Sequence, residues 1–126
     1  MAVFGAPTPN DTHIVDAVKA GYALLGKINE LVESKRIPHT RIGIGIHTGK
    51  VIAGNIGNEF RKQYSLTGST VNIASRIEQL NKKYTCQFLI SEAVKTGIRN
   101  TGYPVTLIDE VALKGIESNM KIYKLL

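Results

Sequence analysis

Tryptophan is absent, cysteine occurs once, and aromatic residues make up only 6% of the 126-residue sequence. The lone Cys86 has no second thiol to pair with, so an internal disulfide framework is excluded and a reducing compartment fits. No apolar run approaches the roughly 20 residues of a membrane span. The opening "MAVFGAPTPN" carries neither a basic n-region nor a long apolar core, so it does not read as a signal peptide. Acidic residues are the minority charge, 10 Asp and Glu against 16 Lys and Arg, which leaves a net charge of +6. Such an excess suits nucleic acid, an anionic membrane or a phosphorylated ligand. Here the basic residues are scattered, densest at "ESKR", "FRK" and "NKK", with little aromatic interleaving, so neither a nucleic-acid nor a membrane partner is expected. The three histidines, His13, His39 and His47, show no metal-ligand spacing. No G-x-x-x-x-G-K-[ST] loop occurs, and no G-x-G-x-x-G stands before a helix.

What remains is an ordinary globular composition, 43% hydrophobic and 21% charged, in a length suited to one domain. From about Asp11 to Ser34 the residues Ile14, Ala17, Val18, Gly21, Leu24, Leu25, Ile28, Leu31 and Val32 recur at helical spacing, with Asn10, Asp11 or Thr12 as candidate caps. "RIGIGIHTG" alternates as a strand does, Ile42, Ile44 and Ile46 on one face, Gly43, Gly45 and His47 on the other. The glycine face is bare enough for close approach of another element. "VIAGNIG" is expected to return beside it as a hairpin. "QYSLTG" and "QFLIS" read as short strands, and Met1–Phe4 is also strand-like. A second helix is expected over about Thr70–Lys82, and a short one after the cap Ser91. "VTLIDEVALKGI" and "MKIYKLL" read as a closing antiparallel pair. Helices alternating with hairpins predict an α+β domain rather than a wound parallel sheet.

On the second helix, Ile73, Ala74, Ile77 and Leu80 form the core-facing stripe. Asn72 and Arg76 lie about 40° apart beside that stripe, at the rim of the buried face. They read either as a surface pair, the arginine stem covering the core edge, or as donors aimed at a phosphate or ribose. The glycines of "HTGKVIAGNIG" read as hairpin and packing glycines, and Lys114 in "ALKGI" as a solvated lysine at a strand end.

Together, "IGIGIHTGKVIAGNIG", "YSLTGSTVNIASRIE" and "ALKGI" before a final strand resemble the class III adenylate/guanylate cyclase catalytic domain, in order and spacing, over nearly the whole chain. The resemblance implies a ferredoxin-like fold and the conversion of ATP, or less favourably GTP, to a 3′,5′-cyclic monophosphate and pyrophosphate. It implies Mg2+ or Mn2+ held by two aspartates, and a head-to-tail homodimer whose sites draw residues from both chains. Asn72 matches the family's ribose-orienting asparagine, and Arg76 the arginine that stabilises charge on the α-phosphate. Lys114 matches the lysine on the terminal phosphates. Ser65 falls where the family reads the base, usually with Asp or Thr in adenylate cyclases and Cys in guanylate cyclases.

The pattern also departs from the family. The segment F-x-D-x-x-G-F-T that carries the first metal aspartate is not in the sequence, nor is the Gly-Asp turn expected before "MAVFG". Asp11 and Asp16 match neither position, and the upstream base-selecting lysine is missing. Residues 1–126 are thus expected to be a partial catalytic domain, lacking its first strand and first metal-binding segment and keeping the transition-state half of the site. It is expected to be cytoplasmic, to hold no metal by itself and to be inactive alone. The alternatives are a non-catalytic cyclase-like nucleotide-binding or dimerisation module, and a metal-free subunit that completes a partner's site.

Overall fold

The computed structural model describes residues 1–50, 69–113 and 118–125 in full, together with the strand backbones of residues 52–57 and 62–67. Its elements in chain order are α1 (His13–Glu33), β1 (Ile44–Ile46), β2 (Ile52–Gly57), β3 (Lys62–Thr67), α2 (Ser69–Tyr84), β4 (Phe88–Ser91), α3 (Glu92–Gly97), β5 (Thr106–Val111) and β6 (Met120–Lys124). Four strands form one sheet in the order β1-β4-β6-β5, with β1 parallel to β4 and the other pairs antiparallel. β2 and β3 form a separate antiparallel hairpin.

Helices cover both faces of the larger sheet. Val18 and Leu25 of α1 pack with Phe88, Ile90, Val94, Tyr123 and Leu125, and Ile42, Ile44 and Ile46 lie against this cluster. On the opposite face Ile73 and Ile77 of α2 pack with Cys86, Leu89, Leu113 and Ile122. β4 is buried along its whole length, as a strand covered on both faces must be. Two glycines let the helices settle. A Cβ on Gly21 would lie 2.8 Å from a ring carbon of Phe88, so α1 sits directly on that ring. A Cβ on Gly45 would lie 2.6 Å from the Cα of Glu78, so α2 rests on the bare glycine face of β1. The close approach expected of that face is realised there.

The α+β class, the three helices, the Ser91 cap and the β5–β6 pair agree with the sequence reading. Ser91 Oγ accepts from the Val94 amide at the start of α3. Three local expectations differ. β1 does not pair with β2; its partner is β4, beyond α2, while β2 pairs with β3. Met1–Phe4 is not in a strand. Thr12 stands at the N-cap of α1 but makes no side-chain cap bond. Its hydroxyl donates to the Asp16 carboxylate instead, at 2.9 Å, and the Asn10 side-chain amide donates to the same oxygen.

Candidate functional site

The sequence Gly43–Gly45 and the small residues Ala74 and Ser75 let α2 lie close along β1, and one buried polar group fixes their register. Asn81, only 4% exposed, donates through Nδ2 to the Ile44 carbonyl at 3.0 Å and to the Glu78 carbonyl at 2.9 Å. A buried amide left without those acceptors would be costly, so the helix is held at one position along the strand. In front of this unit opens a cleft of about 1040 Å³. Its walls are residues 1–6, the inner side of α1, β1 with the turn that follows, and the first three turns of α2.

Asn72 lines this cleft, together with Thr70, Ser75 and Glu78. Arg76, one turn further on, is exposed and is not part of the cleft wall. The stripe of Ile73 and Ile77 is buried, so the pair does stand at the rim of the packed face, as its spacing predicts. The structure thus brings Asn72 to the cleft and leaves Arg76 facing outward beside it. Ser65 lies in β3 opposite Gly54 of β2; its side chain falls outside the described residues. Lys114 also falls outside them.

The turn 47–50 joins β1 to this region and had no functional assignment in the sequence. Lys50 accepts through its carbonyl from Thr70 Oγ1 at 2.6 Å, at the start of α2. His47, half-buried, has Nδ1 2.8 Å from Oγ of the fully buried Ser91. Burial holds the His47 imidazole below its usual pKa, so it is neutral at pH 7. These links join residues far apart in sequence: the parallel register of β1 on β4 brings His47 to Ser91, and the packing of α2 on β1 brings Thr70 to Lys50.

Among the described residues no group of three or more His, Cys, Asp or Glu side chains stands where it would hold a metal ion. Asp16, in the first turn of α1, is committed elsewhere. Hydrogen bonds from Asn10 and then Thr12 hold its carboxyl below the usual carboxylate range. The described residues therefore do not fit a two-metal centre, and no chemical step is derived through one.

The sequence matches the family described as "Adenylate and Guanylate cyclase catalytic domain" over residues 1–126. The chain belongs to that family. Among its relatives, the terminal-differentiation-specific adenylate cyclase of Dictyostelium discoideum is 34% identical over all of this chain, which spans 6% of that protein. The adenylate cyclase of Anabaena cylindrica is 41% identical over 70% of the chain, 18% of its own length. The soluble guanylate cyclase 89Db of Drosophila melanogaster is 34% identical over the whole chain and 18% of its own. The crystal structure of the adenylyl cyclase CyaB from P. aeruginosa superposes with a TM-score of 0.82 at 28% identity, covering 98% of this chain and 64% of that one. The cyclase fold is thus shared, and the chain spans about two thirds of that solved domain. Names of both substrate classes occur among these relatives.

Proposed function

We propose that the protein to which these 126 residues belong converts ATP, with GTP the less favoured substrate, to the 3′,5′-cyclic monophosphate and pyrophosphate. Family membership across the whole chain is the observation that carries this reading. In it, Asn72 orients the ribose from the cleft wall. Arg76 donates its planar fork to the α-phosphate, where charge grows as the 3′-oxygen attacks and pyrophosphate leaves. Lys114 holds the terminal phosphates, and Ser65 reads the base. A serine hydroxyl accepts from the adenine amino group as a threonine does, which gives the lean to ATP.

The outward position of Arg76 supports a site completed by a second chain. Arg76 and the likewise exposed Asn72 one turn before it are open to one nucleotide held between this chain and a partner. A cyclase dimer is accordingly part of the proposal. Carboxylates for Mg2+ or Mn2+ would have to come from parts of the protein outside the described residues. No helix among the described residues is long and apolar enough to cross a membrane. The cytoplasm, which holds the nucleoside triphosphates, is the proposed location.

The test is paired. The full-length protein with ATP and Mn2+ is expected to release cyclic nucleotide, and the purified 126-residue chain none, with ATP or with GTP. Turnover by the chain alone that survives rigorous purification would refute its inactivity. A metal-loaded full-length protein that binds nucleotide without cyclising it would leave the binding-module reading in its place.

A further inference from the structure

His47 stands at the end of β1 between two anchored neighbours. On one side, Ser91 Oγ already accepts from the Val94 amide at 3.4 Å, so its own proton is available to His47 Nδ1 at 2.8 Å. The neutral imidazole then accepts at Nδ1 and carries its proton on Nε2. On the other side, three residues along the chain, the Lys50 carbonyl takes the Thr70 hydroxyl at 2.6 Å. Gly49 presses on the same residue so closely that a Cβ there would lie 2.7 Å from Thr70 Oγ1. Thr70 lies in the first turn of α2, two residues before Asn72. One short turn is therefore pinned at one end to the cap of α3 and at the other to the helix that bears the nucleotide donors.

We propose that His47 is a positioning residue, whose hydrogen bond to Ser91 sets the turn 47–50 and, through Lys50 and Thr70, the place of Asn72 on the cleft wall. Protonation reverses that bond. The imidazolium must donate at Nδ1, the Ser91 hydroxyl must stop donating, and its proton is left without a partner in a fully buried site. Of the ionisable groups on the elements around it, His13 at the start of α1 and Glu78 on α2 line the same cleft, while Asp16 and Lys19 also stand on α1, Arg76 on α2, Glu92 and Lys95 on α3 and Lys50 on its own turn. Burial is the cause that acts on His47, and it places the change below the ordinary imidazole value of 6.5. The sign follows: the positioned state holds at neutral pH and is lost as pH falls through the lowered value. The consequence for turnover rests on the cyclase reading, but the coupling itself needs no nucleotide.

The experiment is a pH titration by NMR of the full-length protein, selectively isotope-labelled, following the His47 ring and the backbone amides of Thr48–Lys50 and Thr70–Asn72. The amides of Thr70–Asn72 are expected to shift with the midpoint of the His47 ring, below 6.5. His47→Asn, neutral throughout, is expected to abolish that midpoint at Thr70–Asn72 in a chain that stays folded. Thr70→Val is expected to keep the ring titration and lose the response at Asn72. Amides of Thr70–Asn72 that stay flat through the His47 titration, or that still titrate in His47→Asn, would overturn the proposal. No turnover enters the measurement, so a negative result here leaves the cyclase reading standing, and an inactive full-length protein leaves the coupling standing.

Discussion

A serine hydroxyl both gives and accepts a hydrogen bond, and at position 65 that ambivalence bears on substrate choice. Adenine offers a donor amino group where guanine offers an acceptor carbonyl. A carboxylate only accepts. Ser65→Asp in the full-length protein is therefore expected to raise the ATP-over-GTP ratio of kcat/KM by about tenfold to a hundredfold, the scale of one hydrogen bond to a charged acceptor. Steady-state kinetics with both nucleotides check it, and an unchanged ratio would remove Ser65 from base reading. At this scale, the placement of Asn72 and Arg76 was legible in the sequence because a helix fixes which neighbours share a face, while the roles proposed for them come from the resemblance alone. Their placement at the rim of a buried stripe agrees with that period. The His47–Ser91 pair could not be found, because 44 residues separate its members and no local pattern marks them.

At the scale of elements, one glycine in β1 and one in α1 make opposite predictions. On Gly45 an added methyl meets helix backbone, which has no rotamer to turn away. Gly45→Ala is expected to lower stability by about 1–3 kcal/mol through overpacking. Gly26, inside α1, has nothing within 4 Å of the corresponding position. Gly26→Ala is expected to raise stability by about 0.5–1 kcal/mol, by restricting the unfolded chain at a site where the helix accepts the side chain. Urea midpoints of both variants check the pair, and equal signs would contradict the packing described. The helices were legible because their apolar period is long and strong. The partner of β1 was not. Neighbouring strands in sequence most often pair, which favoured β2, whereas the chain passes through β2, β3 and α2 before the parallel partner β4 arrives. Glycine on one face of β1 does announce a close neighbour, and that neighbour is α2.

For the molecule as a whole, β1 is an edge strand among the described residues, with β4 on one side only. Ile44 donates its amide to Gln87, so the alternating backbone of Gly45 points its amide and carbonyl away from β4, toward the cleft. Four of the five large apolar side chains exposed among the described residues, Met1, Val3, Phe4 and Leu24, line that same cleft. An open strand edge beside apolar surface recruits another strand. The isolated 126-residue chain is therefore expected to associate through strand addition or exchange, or to aggregate, rather than to build a head-to-tail catalytic dimer. Light scattering over a dilution series checks this, and a monodisperse, stable monomer at about 50 micromolar would refute it. The family and its fold were legible in the combined order of three motifs. The proposed division of the site between chains rests on the resemblance, and the outward face of Arg76 is the structural feature that accords with it. The decisive assay is cyclic-nucleotide formation by the full-length protein, wild type against Arg76→Ala, over a range of ATP, with Lys114→Ala alongside. Arg76→Ala is expected to lower kcat by on the order of 10²-fold with KM little changed, because charge on the α-phosphate grows in the transition state. Lys114→Ala is expected to act chiefly on KM, because the terminal phosphates are charged in the ground state too. An Arg76→Ala protein that keeps its kcat would contradict the place given to Arg76 in the transition state, and with it the cyclase site built around α2.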